Sequence, residues 1–332
     1  SILPAPGQPA HRLVVIVVVT LSTIAISAVF ALVKGLGTVP AFLRGCWRLQ
    51  ATVFVTAPVA VYEYNAYPGA LEAYSRGQTL RDLLIAGAAY AGYNMLFSRA
   101  LDYSCLMHVV IFSQSSPLLM LGYNLVTGKG ATRRQISGCV LAFLGAAMST
   151  SDEGHSDTSG AASSAGIVLS LLAAAAFSVY IEKGSAVRGA GVPMYLYLTP
   201  LCITGAVLAA VIAHSTDGAT LDNDPQLGIF GWMHPIRFQD ALVIGLVPGL
   251  LGLSGVAYGF KHLTPLEAAV FANLEPLFGT VLGVFMGEPI PGLTVAFGGM
   301  VLLAGTLMVV DPAAGGGHGG GGTDVEAGGK GV

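Results

Sequence analysis

The chain divides into ten apolar runs, each about as long as a membrane-crossing helix, joined by short polar connections. A bilayer core about 30 Å thick offers no partner to a free backbone group, so about 20 mostly apolar residues must cross it as a helix that pairs those groups internally. The runs lie near 13–33, 43–62, 82–100, 104–126, 134–150, 165–183, 193–213, 240–260, 263–286 and 292–310. Composition agrees, with 54% hydrophobic and 10% charged residues, against about 45–50% apolar and 25% charged in a soluble domain. The first run, Leu13 to Val33, carries no charge over its length. It outlasts the roughly 7–15-residue apolar core of a signal peptide and reads as a membrane helix. The expectation is an all-α integral membrane protein with ten transmembrane helices.

A formal net charge of −3 and seven scattered histidines leave no basic surface for nucleic acid. Cys46, Cys105, Cys139 and Cys202 stand singly in apolar stretches, without the CxxC spacing of a zinc site or a disulfide framework. They read as packing residues, and no metal or cofactor is expected. Cytoplasmic loops carry the excess of Lys and Arg. With the N-terminus inside, Arg12, Arg76, Arg81, Lys129, Arg133, Arg134, Lys183, Arg188, Lys261 and Lys330 face the cytoplasm. Lys34, Arg44, Arg48, Arg99 and Arg237 face the other side, which predicts a multi-pass protein with both termini cytoplasmic.

The two halves repeat one another. LDYSCLMHVVIFSQSSPLLM, from 101, can be set over KHLTPLEAAVFANLEPLF, from 261. With one single-residue shift Ser104 then matches Thr264, Pro117 matches Pro276, Gly128 matches Gly287 and Gly145 matches Gly305. Five runs per half is an odd number, so the copies enter the bilayer from opposite sides as inverted repeats. The organisation expected is an N-terminal cytoplasmic segment 1–12, a first five-helix repeat 13–150 and a polar linker 151–164. A second repeat 165–310 and a Gly-rich disordered tail 311–332 complete it. Residues 214–239, containing TDGATLDNDP, read as a solvated loop.

The segment LTPLEAAVFANLEPLFGTVLGVFMGEPIPGLTVAFGGMVLLAGTLMVV closely resembles the last two helices of the EamA-type drug/metabolite transporter superfamily, with its LEP element, GE dipeptide and closing glycine-rich helix. The first half repeats this more weakly, with Lys129 where the family usually has the acidic residue of the GE pair. The resemblance implies the ten-helix drug/metabolite transporter fold and an exporter or exchanger of small organic solutes. Expected partners are a small-molecule solute and the lipid bilayer, with a homodimer left open; either the plasma membrane or an organelle membrane would suit.

Polar residues in the apolar runs are the site candidates. Pro117 and Pro276 lack an N–H, so the carbonyls of Ser113 and Ala272 lose their helical donors and both helices should bend near mid-membrane, as gating kinks or as plain packing bends. Glu275 at the membrane centre would cost roughly 2.5–3.5 kcal/mol facing lipid, so it should face protein or water. It is either a proton-coupling or substrate-binding carboxylate or a protonated prop for the kink. Asn273 and its counterpart Gln114 flank the same prolines and are candidates for a midplane site. His108, Tyr93, Asn94, Tyr180 and Tyr258 are weaker ones, since a lone polar or aromatic residue in a bundle is more often a packing residue. Arg99 and Lys261 read as snorkelling helix-end residues.

The expected function is transport of a small neutral or zwitterionic metabolite by alternating access, with proton coupling open. The alternative is a nucleotide-sugar or sugar-phosphate antiporter of an internal membrane, which would want Lys or Arg reaching its site; Arg48 and Arg99 lie nearest. A remoter one is an intramembrane serine protease, from the GLSG at Gly252–Gly255. That nucleophile would need a histidine base at membrane depth, and none follows it in the sequence. Hence no enzyme is expected.

Overall fold

The computed structural model describes residues 9–34, 36, 38–67, 69, 71–100, 102–103, 109, 112–149, 164–285 and 292–309. The expectations for His108, for nearly all of the 151–164 linker and for the tail lie outside these residues, and Pro276 is described in its backbone alone.

The described residues are helical, with no strand among them; one isolated bridge joins Thr220 and Gly228. The first half comprises α1 (Pro9–Lys34), α2 (Ala41–Ala66), the single turn α3 (Glu72–Ser75), α4 (Gly77–Ala100), α5 (Ser116–Val126) and α6 (Arg133–Ser149). After α7 (Ser164–Gly189) and α8 (Met194–Thr216), a composite rod runs from α9 (Pro235–Ile244) through π-helical Gly245–Leu253 into α10 (Ser254–His262). Then come α11 (Pro265–Ala272), α12 (Glu275–Phe285) and α13 (Leu293–Val309). Arg12–Val29, Ser164–Gly189, Met194–Thr216 and Pro235–His262 are each long and apolar enough to cross a membrane.

Small residues set the closest helix contacts. α6 lies along α13, where a Cβ on Gly145 would run into the Leu302 backbone and one on Gly305 into the Ala142 backbone. In lipid the association of helices depends on such close approach, because apolar surface gains nothing by leaving lipid tails. In the rod, Gly245 and Gly249 face Ala51 and Thr52 of α2, and Gly252 and Gly255 face Ile26 and Ser22 of α1. Pro248 sits within the π-helical stretch, where the widened turn absorbs the donor that proline lacks.

The loop after α8 is more ordered than its polar sequence suggests. Asp217 accepts from the Phe42 and Leu43 amides at 3.2 and 3.3 Å, satisfying donors at the start of α2. Trp47 donates to the Gly228 carbonyl at 2.9 Å, and Trp232 donates to Gln50. The expectation of a simply solvated loop is therefore corrected. Its alternation of Asp and Gly with Ile229 and Trp232 lets it turn tightly and bury the apolar pair against α2.

The opposite end of the bundle is tied by charge. Arg12 of α1 pairs with Glu267 of α11, Lys183 of α7 with Asp82 of α4 at 2.8 Å, and Lys129 with Glu182 of α7 at 3.0 Å. Arg188 is buried there and donates to the Ala257 carbonyl at 3.0 Å and to the Val192 carbonyl. Among the described residues, all the ion pairs that join different helices lie at this end.

Candidate functional site

The second half contains an interrupted helix, and the described residues of the first half show the same kind of turn before a helix start. In the second half α11 ends at Ala272, a turn at Asn273 and Leu274 follows, and α12 begins at Glu275. Asn273 and Leu274 donate to Val270 and Phe271 at 3.1 and 3.0 Å, the tightened pattern of a helix end. In the first half, helical Phe112–Ser113 gives way to a turn at Gln114 and Ser115, and α5 restarts at Ser116. Ser115 donates to Phe112 at 3.2 Å.

The backbone at Ser115 and Asn273 stays in the right-handed helical region, so these are two-residue interruptions with tightened bonds, and the prolines explain why. Starting a new helix at Ser116 or Glu275 puts Pro117 or Pro276 in its first turn, where a missing N–H costs nothing. The Ser113 carbonyl, whose helical donor Pro117 removes, instead accepts from the Ser116 hydroxyl at 3.3 Å. The segments pack together, α11 against α5. Gln114 is buried, and Asn273 is fully buried with neither its Oδ1 nor its Nδ2 hydrogen-bonded.

A polar and aromatic cluster joins α2, α4 and α7. Arg48 of α2 donates through Nη1 to Asn94 Oδ1 at 3.1 Å and through Nη2 to Tyr90 Oη at 3.2 Å, both on α4. Asn94 is held for this by donating its Nδ2 to the Tyr90 carbonyl at 2.7 Å. The Tyr93 ring lies 4.7 Å from Phe177 of α7, and Tyr180 of α7 lies 4.8 Å from Tyr90. Ser27 of α1 fixes the start of α12 by donating to the Glu275 carbonyl at 3.0 Å. Arg48, Tyr93, Asn94, Phe177 and Glu275 are half-buried.

Of the expected residues, Tyr93, Asn94 and Tyr180 come together here, while Gln114, Asn273 and Glu275 lie at the interruptions. Tyr258 does not join them; it stacks 4.6 Å from His262 near the end of α10. Arg99 is exposed and pairs with Asp102 at 2.8 Å, as a helix-end residue should. Arg48, counted with the outer loop charges on sequence, lies inside the bundle, and Phe177 and Tyr90 had no sequence signal. Ser254 of GLSG donates to Tyr195 at 3.3 Å and serves as a helix contact. An open recess of about 520 Å3, lined by Arg99, Tyr103, Ser164, Ala165, Val168 and Leu169, holds none of the expected site residues.

Residues 164–310 match the model of the EamA-like transporter family. A solved structure described only as "Crystal structure of protein" superposes with a TM-score of 0.70 at 15% identity, covering 89% of this chain and 97% of that one, which establishes likeness of fold. No curated protein is matched by the chain. The EamA-like segment and the apolar helices indicate an integral membrane protein of transporter type.

Proposed function

We propose that the chain is a ten-span carrier of two inverted five-helix repeats that moves a small neutral or zwitterionic organic metabolite across its membrane by alternating access, as exporter or exchanger. The observation that carries this reading is the pair of helix breaks, at Gln114–Ser115 and Asn273–Leu274, on helices packed against each other. Interrupted backbone at membrane depth persists where protein or a water-filled space satisfies it, and carriers of inverted-repeat design form their sites from such helices. The half-buried cluster around Arg48, together with Glu275, is the solute site in this reading. Inter-helix ion pairs confined to the Lys183 end are bonds that opening of that end would break. By the distribution of Lys and Arg, that end is cytoplasmic.

Glu275 is the coupling carboxylate in this reading, because it sits at a helix interruption and can change charge between facing states. The test replaces it with Gln, which keeps size and hydrogen bonding but cannot ionise. Purified Glu275→Gln in vesicles should retain solute exchange and lose proton-driven accumulation. Wild-type accumulation by a well-folded Glu275→Gln protein would refute the coupling role. A sugar-phosphate or nucleotide-sugar antiporter is the second reading, and the interior guanidinium of Arg48 is what favours it. A single guanidinium suits one negative charge better than a phosphate carrying two.

A further inference from the structure

Arg48 is, among the described residues, an interior cation whose bonding is incomplete. It lies seven residues inside α2, roughly 10 Å along the helix from its end at 1.5 Å per residue. A cation at membrane depth is costly and is retained where it has a task or a partner. Both acceptors bound by its terminal nitrogens, Asn94 Oδ1 and Tyr90 Oη, are neutral. Its Nε is buried without any hydrogen-bond partner. Among the described residues no carboxylate stands at ion-pairing distance from it. A guanidinium presents five donors in a planar fork that matches a carboxylate edge. Here the fork is oriented by two neutral side chains and left without its counter-charge.

We propose that Arg48 receives a carboxylate group of the transported solute, so that the solutes of this protein are carboxylate-bearing molecules, with Asn94 and Tyr90 positioning the guanidinium. The apolar part of such a solute lies along Tyr93 and Phe177, whose rings are 4.7 Å apart. Holding the fork in place beforehand lowers the ordering cost of binding. The alternative to be excluded is that Arg48 merely staples α2 to α4.

This inference rests on the transport reading of the same cluster, and binding separates the two. Purified protein in lipid nanodiscs is titrated with amino acids, each beside its own carboxamide, following the thermal midpoint and the fluorescence of Trp47, the neighbour of Arg48. The expected result is that at least one acid binds tenfold or more tightly than its amide. Arg48→Gln should bind acid and amide alike, Arg48→Lys should keep part of the preference, and Asn94→Leu should weaken acid binding more than amide binding. Equal binding of acids and amides by the wild-type protein overturns the proposal, as does an acid preference that survives in Arg48→Gln or a panel in which no acid binds at millimolar concentration. The wild-type comparison decides the matter if Arg48→Gln does not fold. Acid-selective binding without flux in vesicles would overturn the transport reading and leave only carboxylate binding at Arg48 standing.

Discussion

Lys183 Nζ lies 2.8 Å from Asp82 Oδ1, joining α7 to α4 close to the end where Arg12 meets Glu267. The Asp82 side chain is 6% exposed and that of Lys183 30%, so water screens the pair only in part. Exposed pairs contribute about 0–1 kcal/mol, and removing one member of a buried pair costs about 3–5 kcal/mol. A double-mutant cycle with Asp82→Asn and Lys183→Gln should give a coupling energy of about 1–2 kcal/mol in thermal unfolding of detergent-solubilised protein. Strict additivity of the two substitutions would remove the pair from the forces closing this end.

The contact of α6 with α13 should tolerate no side chain at its centre. A Cβ at Gly145 meets the Leu302 backbone, which cannot swing aside as a side-chain tip would. Gly145→Ala should therefore destabilise by about 3 kcal/mol, the upper end of typical overpacking costs. Gly122→Ala in α5 meets nothing within 4 Å and should be neutral or stabilising by about 0.5–1 kcal/mol through helix propensity. Equal midpoints for the two variants would contradict the packing described.

The loop over the start of α2 should loosen in acid. Asp224 is exposed and accepts from the Gln226 and Leu227 amides at 2.9 and 2.8 Å, and these bonds hold its carboxyl below the ordinary aspartate value of 3.8. A lowered folded value means the stabilisation is fully present above the ordinary value and is lost as pH falls through the lowered one. Hydrogen exchange of the two amides, corrected for the intrinsic pH dependence, should lose protection in that window, and Asp224→Ala should abolish it at any pH. Unchanged protection in the variant would sink the assignment.

Topology provides a separate check. Tags placed at Val332 and in the 217–231 loop should be reached by impermeant reagents from opposite sides of the membrane. Labelling of both from one side would contradict the arrangement of spans.

The helices were legible because hydropathy and length suffice for them. α2, α4, α7 and α8 begin or end within a few residues of the apolar runs. The breaks were half legible. Pro117 and Pro276 announced a disturbance, but a bend and an interruption differ only in whether the chain restarts its helix. That depends on Ser116 and on the packing of α11 against α5, not on any local preference. Arg48 was half legible: the sequence groups it with the outer charges and, with Arg99, as a basic residue nearest a site, but a run beginning near residue 43 leaves it close to a helix end. The helix starts at Ala41 and turns that residue inward toward partners on α4, which no spacing along the chain reveals. The aromatic lining from Phe177 and Tyr90 was hidden for the same reason, since both look like ordinary helix-packing residues until α4 and α7 are placed side by side.

Solute counterflow tests the central claim most directly. Vesicles containing the purified protein and loaded with an unlabelled solute, screened across amino acids, nucleobases and sugars, are diluted into a trace of the same solute carrying a label. A carrier whose site faces one side at a time exchanges internal for external solute, so labelled solute should rise transiently above its equilibrium level inside and then decay. Gly145→Ala, which disturbs the bundle, should reduce that overshoot. A pore would show only a monotonic approach to equilibrium, and that result, or the absence of any protein-dependent flux across the panel, would contradict the account.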